Sequence, residues 1–147
     1  MKITDVKAYV MLPDSSHHER QDRAWTFVQV ETDEGITGWG EATNSPGGGS
    51  LLTGETVRLR KRTLVGEDPA DIERLWHQGY RQFTYLGARG LPTAAISGID
   101  IALWDIKGKA LGRPVYDLLG GKFRERVRLY ANGWFVGCKT PEAYAAA

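Results

Sequence analysis

The chain has 147 residues, of which 41% are hydrophobic and 25% charged, with a formal net charge of +1 at pH 7. That length supports one domain with its own core, and the near-neutral charge gives no basis for a nucleic-acid or anionic-membrane partner. The lone Cys138 allows no intrachain disulfide, no run approaches the roughly 18 apolar residues of a membrane span, and Met1-Lys-Ile-Thr-Asp-Val is too polar for a signal peptide, so a cytoplasmic protein is expected.

The first forty residues predict sheet. Residues 2–12 are a β-rich run ended by Pro13, and residues 25–32 carry the aromatic and β-branched side chains that suit a half-buried pleated surface. Asp33-Glu34-Gly35 offers a tight connection into a third strand over residues 36–42. In that strand Gly38 and Gly40 flank Trp39, which predicts close approach by a neighbouring element. The economical reading is a three-stranded antiparallel meander. Two polar stretches interrupt it: residues 14–23, with His17, His18, Arg20 and Arg23, and the glycine-rich Asn44-Ser-Pro-Gly-Gly-Gly-Ser50.

Helices are expected after residue 50. Residues 51–65 form a weak candidate, interrupted by Gly54. Asp68-Pro69 is a stronger start, with Asp68 accepting first-turn N–H groups and Pro69 at the first helical position. Ile72, Leu75, Trp76, Gly79 and Tyr80 then share one face. From Pro92 onward, Ile96, Ile99, Leu103, Ile106 and Ala110 alternate spacings of three and four, a narrow apolar stripe. Gly112 supplies a left-handed stop and Pro114 opens a second, short helix. Beyond Gly120-Gly121, residues 126–131 predict a strand and Thr140-Pro141-Glu142 a capped helix start, the beginning of a βα unit. The expected class is α+β: a meander followed by a helical bundle.

The string Ala95-Ile-Ser-Gly-Ile-Asp-Ile-Ala-Leu-Trp-Asp-Ile-Lys-Gly-Lys-Ala-Leu-Gly-Arg-Pro-Val-Tyr-Asp-Leu-Leu-Gly-Gly121 resembles the segment that joins capping domain to barrel in the mandelate racemase and muconate lactonizing enzyme branch of the enolase superfamily. Glu34-Gly-Ile-Thr-Gly-Trp-Gly-Glu-Ala42 is similar to that family's second hairpin, Val65-Gly-Glu-Asp-Pro69 to its turn between capping helices, and Val127-Arg-Leu-Tyr130 to its first barrel strand. The resemblance implies an enolase N-terminal-like capping domain over residues 1–122. It also implies the truncated start of a (β/α)₇β barrel over residues 123–147, about one strand of a unit that typically needs about 250 residues.

What the resemblance implies for function is an acid-sugar dehydratase of the galactonate or mannonate type. In that family a Mg²⁺ ion held by three carboxylates stabilises the enediolate formed when a lysine or histidine removes the proton next to a carboxylate, and the 3-hydroxyl leaves as water. Metal ligands and bases of the family lie on barrel strands beyond residue 147. No catalytic residue and no metal ligand is therefore assigned here: Mg²⁺ belongs to the full-length parent, and this chain alone is expected to be inactive. The capping loops close over the barrel mouth and touch the distal end of the substrate. They map onto residues 14–23 and 44–50, making His17, Arg20, Arg23 and Asn44 the expected contacts to a polyhydroxylated acid, and Asn44 the strongest of them. Tyr130-Ala-Asn-Gly-Trp134 maps to the active-site end of the barrel and adds Asn132 and Trp134. The implied partners are a small-molecule sugar acid, the missing barrel domain and further copies in a homo-oligomeric parent. Two alternatives stay open: the capping domain of a racemase or cycloisomerase, and a freestanding binding or interaction module.

Other motifs read as structure. Lys107-Gly-Lys109 invites comparison with paired catalytic lysines, but on a helix residues two apart point roughly 200° from each other. His17-His18-Glu19 lacks a further ligand at useful spacing for a metal. Arg58, Arg60, Lys61 and Arg62 lack an interleaved aromatic platform and predict a solvated helix face rather than a nucleic-acid site. Gly47-Gly48-Gly49 lacks the lysine and the strand-to-helix context of a phosphate loop. Asp100 and Asp105 are expected to pair with neighbouring chain or with Lys109.

Overall fold

Alternation of side chains decides the first three elements. The computed structural model describes residues 1–11, 24–43, 49–131 and 137–146. Strands β1 (Ile3–Met11), β2 (Trp25–Thr32) and β3 (Thr37–Glu41) form an antiparallel sheet in the order β1-β2-β3. Along β2, Thr26, Val28, Val30 and Thr32 are buried while Trp25, Phe27, Gln29 and Glu31 alternate with them on the outer face. The expected meander is the observed one.

Against the inner face pack α1 (Gly49–Leu64) and α3 (Leu91–Leu111), with α2 (Ile72–Arg81) packed on α3, followed by the short α4 (Val115–Leu118) and α5 (Pro141–Ala146). The core joins Ile3, Val6, Val28 and Val30 of the sheet to Val57 and Leu64 of α1, Leu75 of α2, and Ile99, Leu103 and Ile106 of α3. Helix α3 is the spine. Its predicted stripe is buried except for Ala110, and Gly112 ends it at φ 61° in the left-handed region.

A second face of α3, built from small residues, lets β3 come close. A Cβ on Gly38 would overlap the Ala102 carbonyl oxygen and one on Gly40 the Gly98 carbonyl oxygen, while a Cβ on Gly98 would lie 2.6 Å from that of Ala42. Side chains of α3 then satisfy the free edge of β3. The Trp39 N–H donates to Asp105 Oδ2 at 2.8 Å, and Lys109 Nζ donates to the Thr37 carbonyl at 2.6 Å and to Asp105 at 2.7 Å. Covering an edge in this way removes a template for unwanted strand pairing. Asp105→Ala should cost about 1.5 kcal/mol, since hydrogen bonds to a charged group are the stronger kind. A lower urea midpoint with faster amide exchange at Trp39 would be the readout; unchanged exchange would count against this clamp.

Four expectations need correction. Helix α1 starts at Gly49, and Gly54 does not interrupt it but lies against β1, where a Cβ would sit 2.7 Å from Val10 Cγ2. Helix α2 starts at Ile72, not Pro69: Asp68 Oδ1 accepts the Ala70 N–H at 2.9 Å and closes a turn around the buried Pro69. The basic cluster is not one solvated face. Successive positions diverge by about 100° on a helix, and Arg58 donates to the Ala8 carbonyl (2.9 Å), Arg60 is buried, and Lys61 pairs with Asp5 (2.6 Å). Finally, residues 126–131 form no strand, and Val127, Leu129 and Tyr130 remain exposed. A lone parallel strand has no ladder to join, so its backbone groups gain nothing by extending. The helix cap after it does form, with Thr140 Oγ1 accepting the Ala143 N–H at 3.3 Å.

Candidate functional site at the loop end of the sheet

Strand order places both polar connections at one end of the sheet. The chain leaves β1 at Met11 and returns at Trp25, its register partner; it leaves β3 at Glu41, and α1 begins at Gly49. Residues 12–23 and 44–48 thus spring from neighbouring points, although His17, Arg20, Arg23 and Asn44 themselves lie outside the described residues, as do Asn132 and Trp134.

What is described is the base on which both connections stand. Thr26, buried in β2, is its hub. Its N–H donates to Thr43 Oγ1 at 3.1 Å, its carbonyl accepts the Ala42 N–H at 2.8 Å, and its hydroxyl donates to the Ser50 carbonyl at 3.3 Å. Ser50 Oγ closes the circuit by donating to the Ala24 carbonyl at 3.0 Å. One hydroxyl cluster therefore ties the end of the first connection (Ala24), the start of the second (Thr43) and the first turn of α1 (Ser50). The sequence reading missed this set. Its signal was available: threonine at an inward-facing position of an otherwise apolar alternation is a buried polar group, which must find partners.

Elsewhere the described residues offer less. A cavity of about 10 Å³ among α1, α2 and α3 is lined by Arg60, Leu75, Gly79, Asp100 and Leu103, room for one water at most. Arg60 Nη1 donates to Gln82 Oε1 at 2.6 Å, its Nε is without a partner, and burial pushes the guanidinium below its ordinary value. Burial also raises the Asp100 carboxyl, with repulsion from Glu73 adding to it. A carboxyl raised in the folded state contributes stability below its unfolded pKa and loses it as pH rises through the folded one. Asp100→Asn should therefore be more stable than the parent at pH 7, by at most about 1 kcal/mol after solvent screening, and indistinguishable from it at pH 3. Urea titrations at both pH values decide it; equal stability at pH 7 would contradict this account.

A larger groove of about 530 Å³ at the α2–α3 connection is lined by Tyr80, Phe83, Thr84, Leu86 and Arg89, without carboxylate, imidazole or thiol. Lys107 lies over the Trp104 ring, 5.1 Å from its centroid, while Lys109 is held by β3, so the two lysines of the 107–109 motif do not meet at one site. Among the described residues no group of three or more His, Cys, Asp or Glu is arranged to hold a metal ion. The described residues do not fit a magnesium centre. Nor is any described helix long and apolar enough to cross a membrane.

Comparison with known proteins places this geometry. The model of the mandelate racemase / muconate lactonizing enzyme N-terminal domain matches residues 2–120. A D-galactonate dehydratase of Variovorax paradoxus is 46% identical over 131 residues, covering 89% of this chain and 31% of the relative. A D-gluconate dehydratase of Thermoproteus tenax is 39% identical over 133 residues, covering 88% of this chain and 26% of the relative. A crystal structure from Mesorhizobium loti, provisionally named a dehydratase, superposes with a TM-score of 0.87 at 42% identity, covering 99% of this chain and 37% of that one. The chain spans about a third or less of the length of these curated relatives.

Proposed function

Because the chain belongs to the mandelate racemase and muconate lactonizing enzyme family, we propose that it is the substrate-selecting N-terminal portion of a magnesium-dependent acid-sugar dehydratase. The observation that carries this reading is the rooting of two polar connections on one hydroxyl cluster at one end of the sheet, in a chain whose relatives are named for dehydrating D-galactonate and D-gluconate. Removal of the proton next to the carboxylate, departure of the 3-hydroxyl as water and tautomerisation of the enol give a 2-keto-3-deoxy acid. The base and the Mg²⁺ ion lie outside the described residues in this proposal. Residues of this chain bind and orient in this proposal: His17, Arg20, Arg23 and Asn44 present cationic and hydrogen-bonding groups to the distal hydroxyls of the acid, and Asn132 and Trp134 add contacts from the start of the barrel. Residues 1–122 act as the cap and residues 123–147 lead into the barrel. The proposed setting is the cytoplasm.

A racemase or cycloisomerase is the second reading, favoured by the family model's own description. Assay of the full-length protein with sugar acids, mandelate and muconate, with magnesium and with chelator, separates the two. Magnesium-dependent release of a 2-keto-3-deoxy acid is expected. Racemisation or lactonisation without loss of water would replace the proposal, and turnover by the 147-residue chain alone would overturn the cap assignment.

A further inference from the structure

Arg60 of α1 is a buried cation that the proposed reaction does not use. It is 3% exposed, and among the described residues it forms no ion pair. Its guanidinium lies against α2 at Gly79, where a Cβ would stand 3.3 Å from Nη2 and 3.5 Å from Cζ, so glycine leaves the space it occupies. Nη1 donates to Gln82 Oε1 at 2.6 Å, at the C-terminal end of α2, where the helix dipole also favours a cation. Nε, by contrast, is buried and has no partner. A buried N–H left unpaired loses its hydration without recompense, and the loss is greater on a charged group.

Arg60 shares the wall of the cavity of about 10 Å³ with Asp100 of α3, and the rest of that wall is mainly apolar, Leu75, Ile99 and Leu103 among it. The two ionisable groups line one space without meeting. Burial alone lowers the guanidinium, with no carboxylate acting on it, and the Asp100 carboxyl is raised by burial and by Glu73, with no cation offsetting either. We propose that the cavity binds one ordered water, which accepts the Arg60 Nε–H and donates to the Asp100 carboxylate. The volume matches one water-sized sphere, which excludes a hydrated ion or an organic ligand. A wholly apolar cavity of that size would stay dry; a guanidinium N–H and a carboxylate on one wall supply the two polar partners that hold a water. Through it, one buried guanidinium joins three packed helices: α1 by its own chain, α2 by Gln82 and α3 by the water and Asp100. The larger space left by Leu103→Ala would keep this water, since both of its partners remain, and admit others beside it.

A crystal structure of the full-length protein, at a resolution that places ordered waters, tests this. One peak is expected at about 2.7–3.2 Å from both Nε and an Asp100 oxygen. Asp100→Asn retains an acceptor oxygen and should retain the peak. Asp100→Leu, of similar size but without an acceptor, should lose it. If Asp100→Leu does not crystallise, oxygen-17 relaxation dispersion of water in solution gives the same reading, with one long-lived water fewer than in Asp100→Asn. A dry cavity, a peak within reach of only one of the two groups, direct contact between Nε and the carboxylate, or a water that survives Asp100→Leu would overturn the proposal. So would an anomalous signal at the site, which would mark a chloride ion on the guanidinium.

Discussion

Gly40→Ala is expected to destabilise the protein by about 3 kcal/mol, at the upper end of what overpacking costs. The added methyl would fall on the Gly98 carbonyl oxygen and close to the Ala102 nitrogen, both backbone atoms of a helix. A flexible side chain could swing aside; a helix backbone cannot, so β3 and α3 must separate along their contact. Separation in turn lengthens the Asp105 and Lys109 bonds to the strand edge. Gly66→Ala is the matched control. Gly66 has φ 89° and no atom within 4 Å of a built Cβ, so its cost is conformational alone, about 1 kcal/mol. Urea unfolding with equal slopes measures both. A Gly40→Ala loss no larger than that of Gly66→Ala would show that the sheet and helix are not packed backbone to backbone.

The same contact illustrates how much was legible beforehand. Two glycines flanking Trp39 announce a close neighbour, and the periodicity from Ile96 to Ile106 announces the helix that fills the role. Pattern alone could not say that the small residues Gly98 and Ala102 form the second, sheet-facing side of that helix. It reports which positions avoid water, not which neighbour they meet. The misplaced features share a cause. Arg60 and Asp68 were judged by residue type, yet tertiary packing turns Arg60 inward, and a local turn takes up Asp68 before the helix begins. Residues 126–131 have strand composition without strand partners. The hub of Thr26, Thr43 and Ser50 was hidden because its members are 7 to 24 positions apart and ordinary one by one. The substrate contacts expected at His17, Arg20, Arg23, Asn44, Asn132 and Trp134 rest on resemblance, and for the first four the described structure supplies the roots at Ala24 and Thr43 rather than their geometry.

Leu103→Ala should cost about 3 kcal/mol, in the lower half of the range for emptying a buried leucine site. Leu103 is 1% exposed, belongs to the core, and lies with Arg60 of α1 and Leu75 of α2 around the small cavity. Truncation removes its transfer energy and leaves a void, which argues for the full penalty. The void, however, would merge with the existing cavity of about 10 Å³ that Arg60 and Asp100 also line. A space enlarged beside Arg60 Nε, which has no partner, and beside the Asp100 carboxylate can hold ordered water with polar contacts, so part of the loss is recovered. Ile106→Ala provides the comparison: that side chain is equally buried but does not line the cavity. Ile106→Ala is therefore expected to cost more than Leu103→Ala, despite the similar volume removed. Urea unfolding of the two variants ranks them, and the opposite order would mean that no water enters beside Arg60.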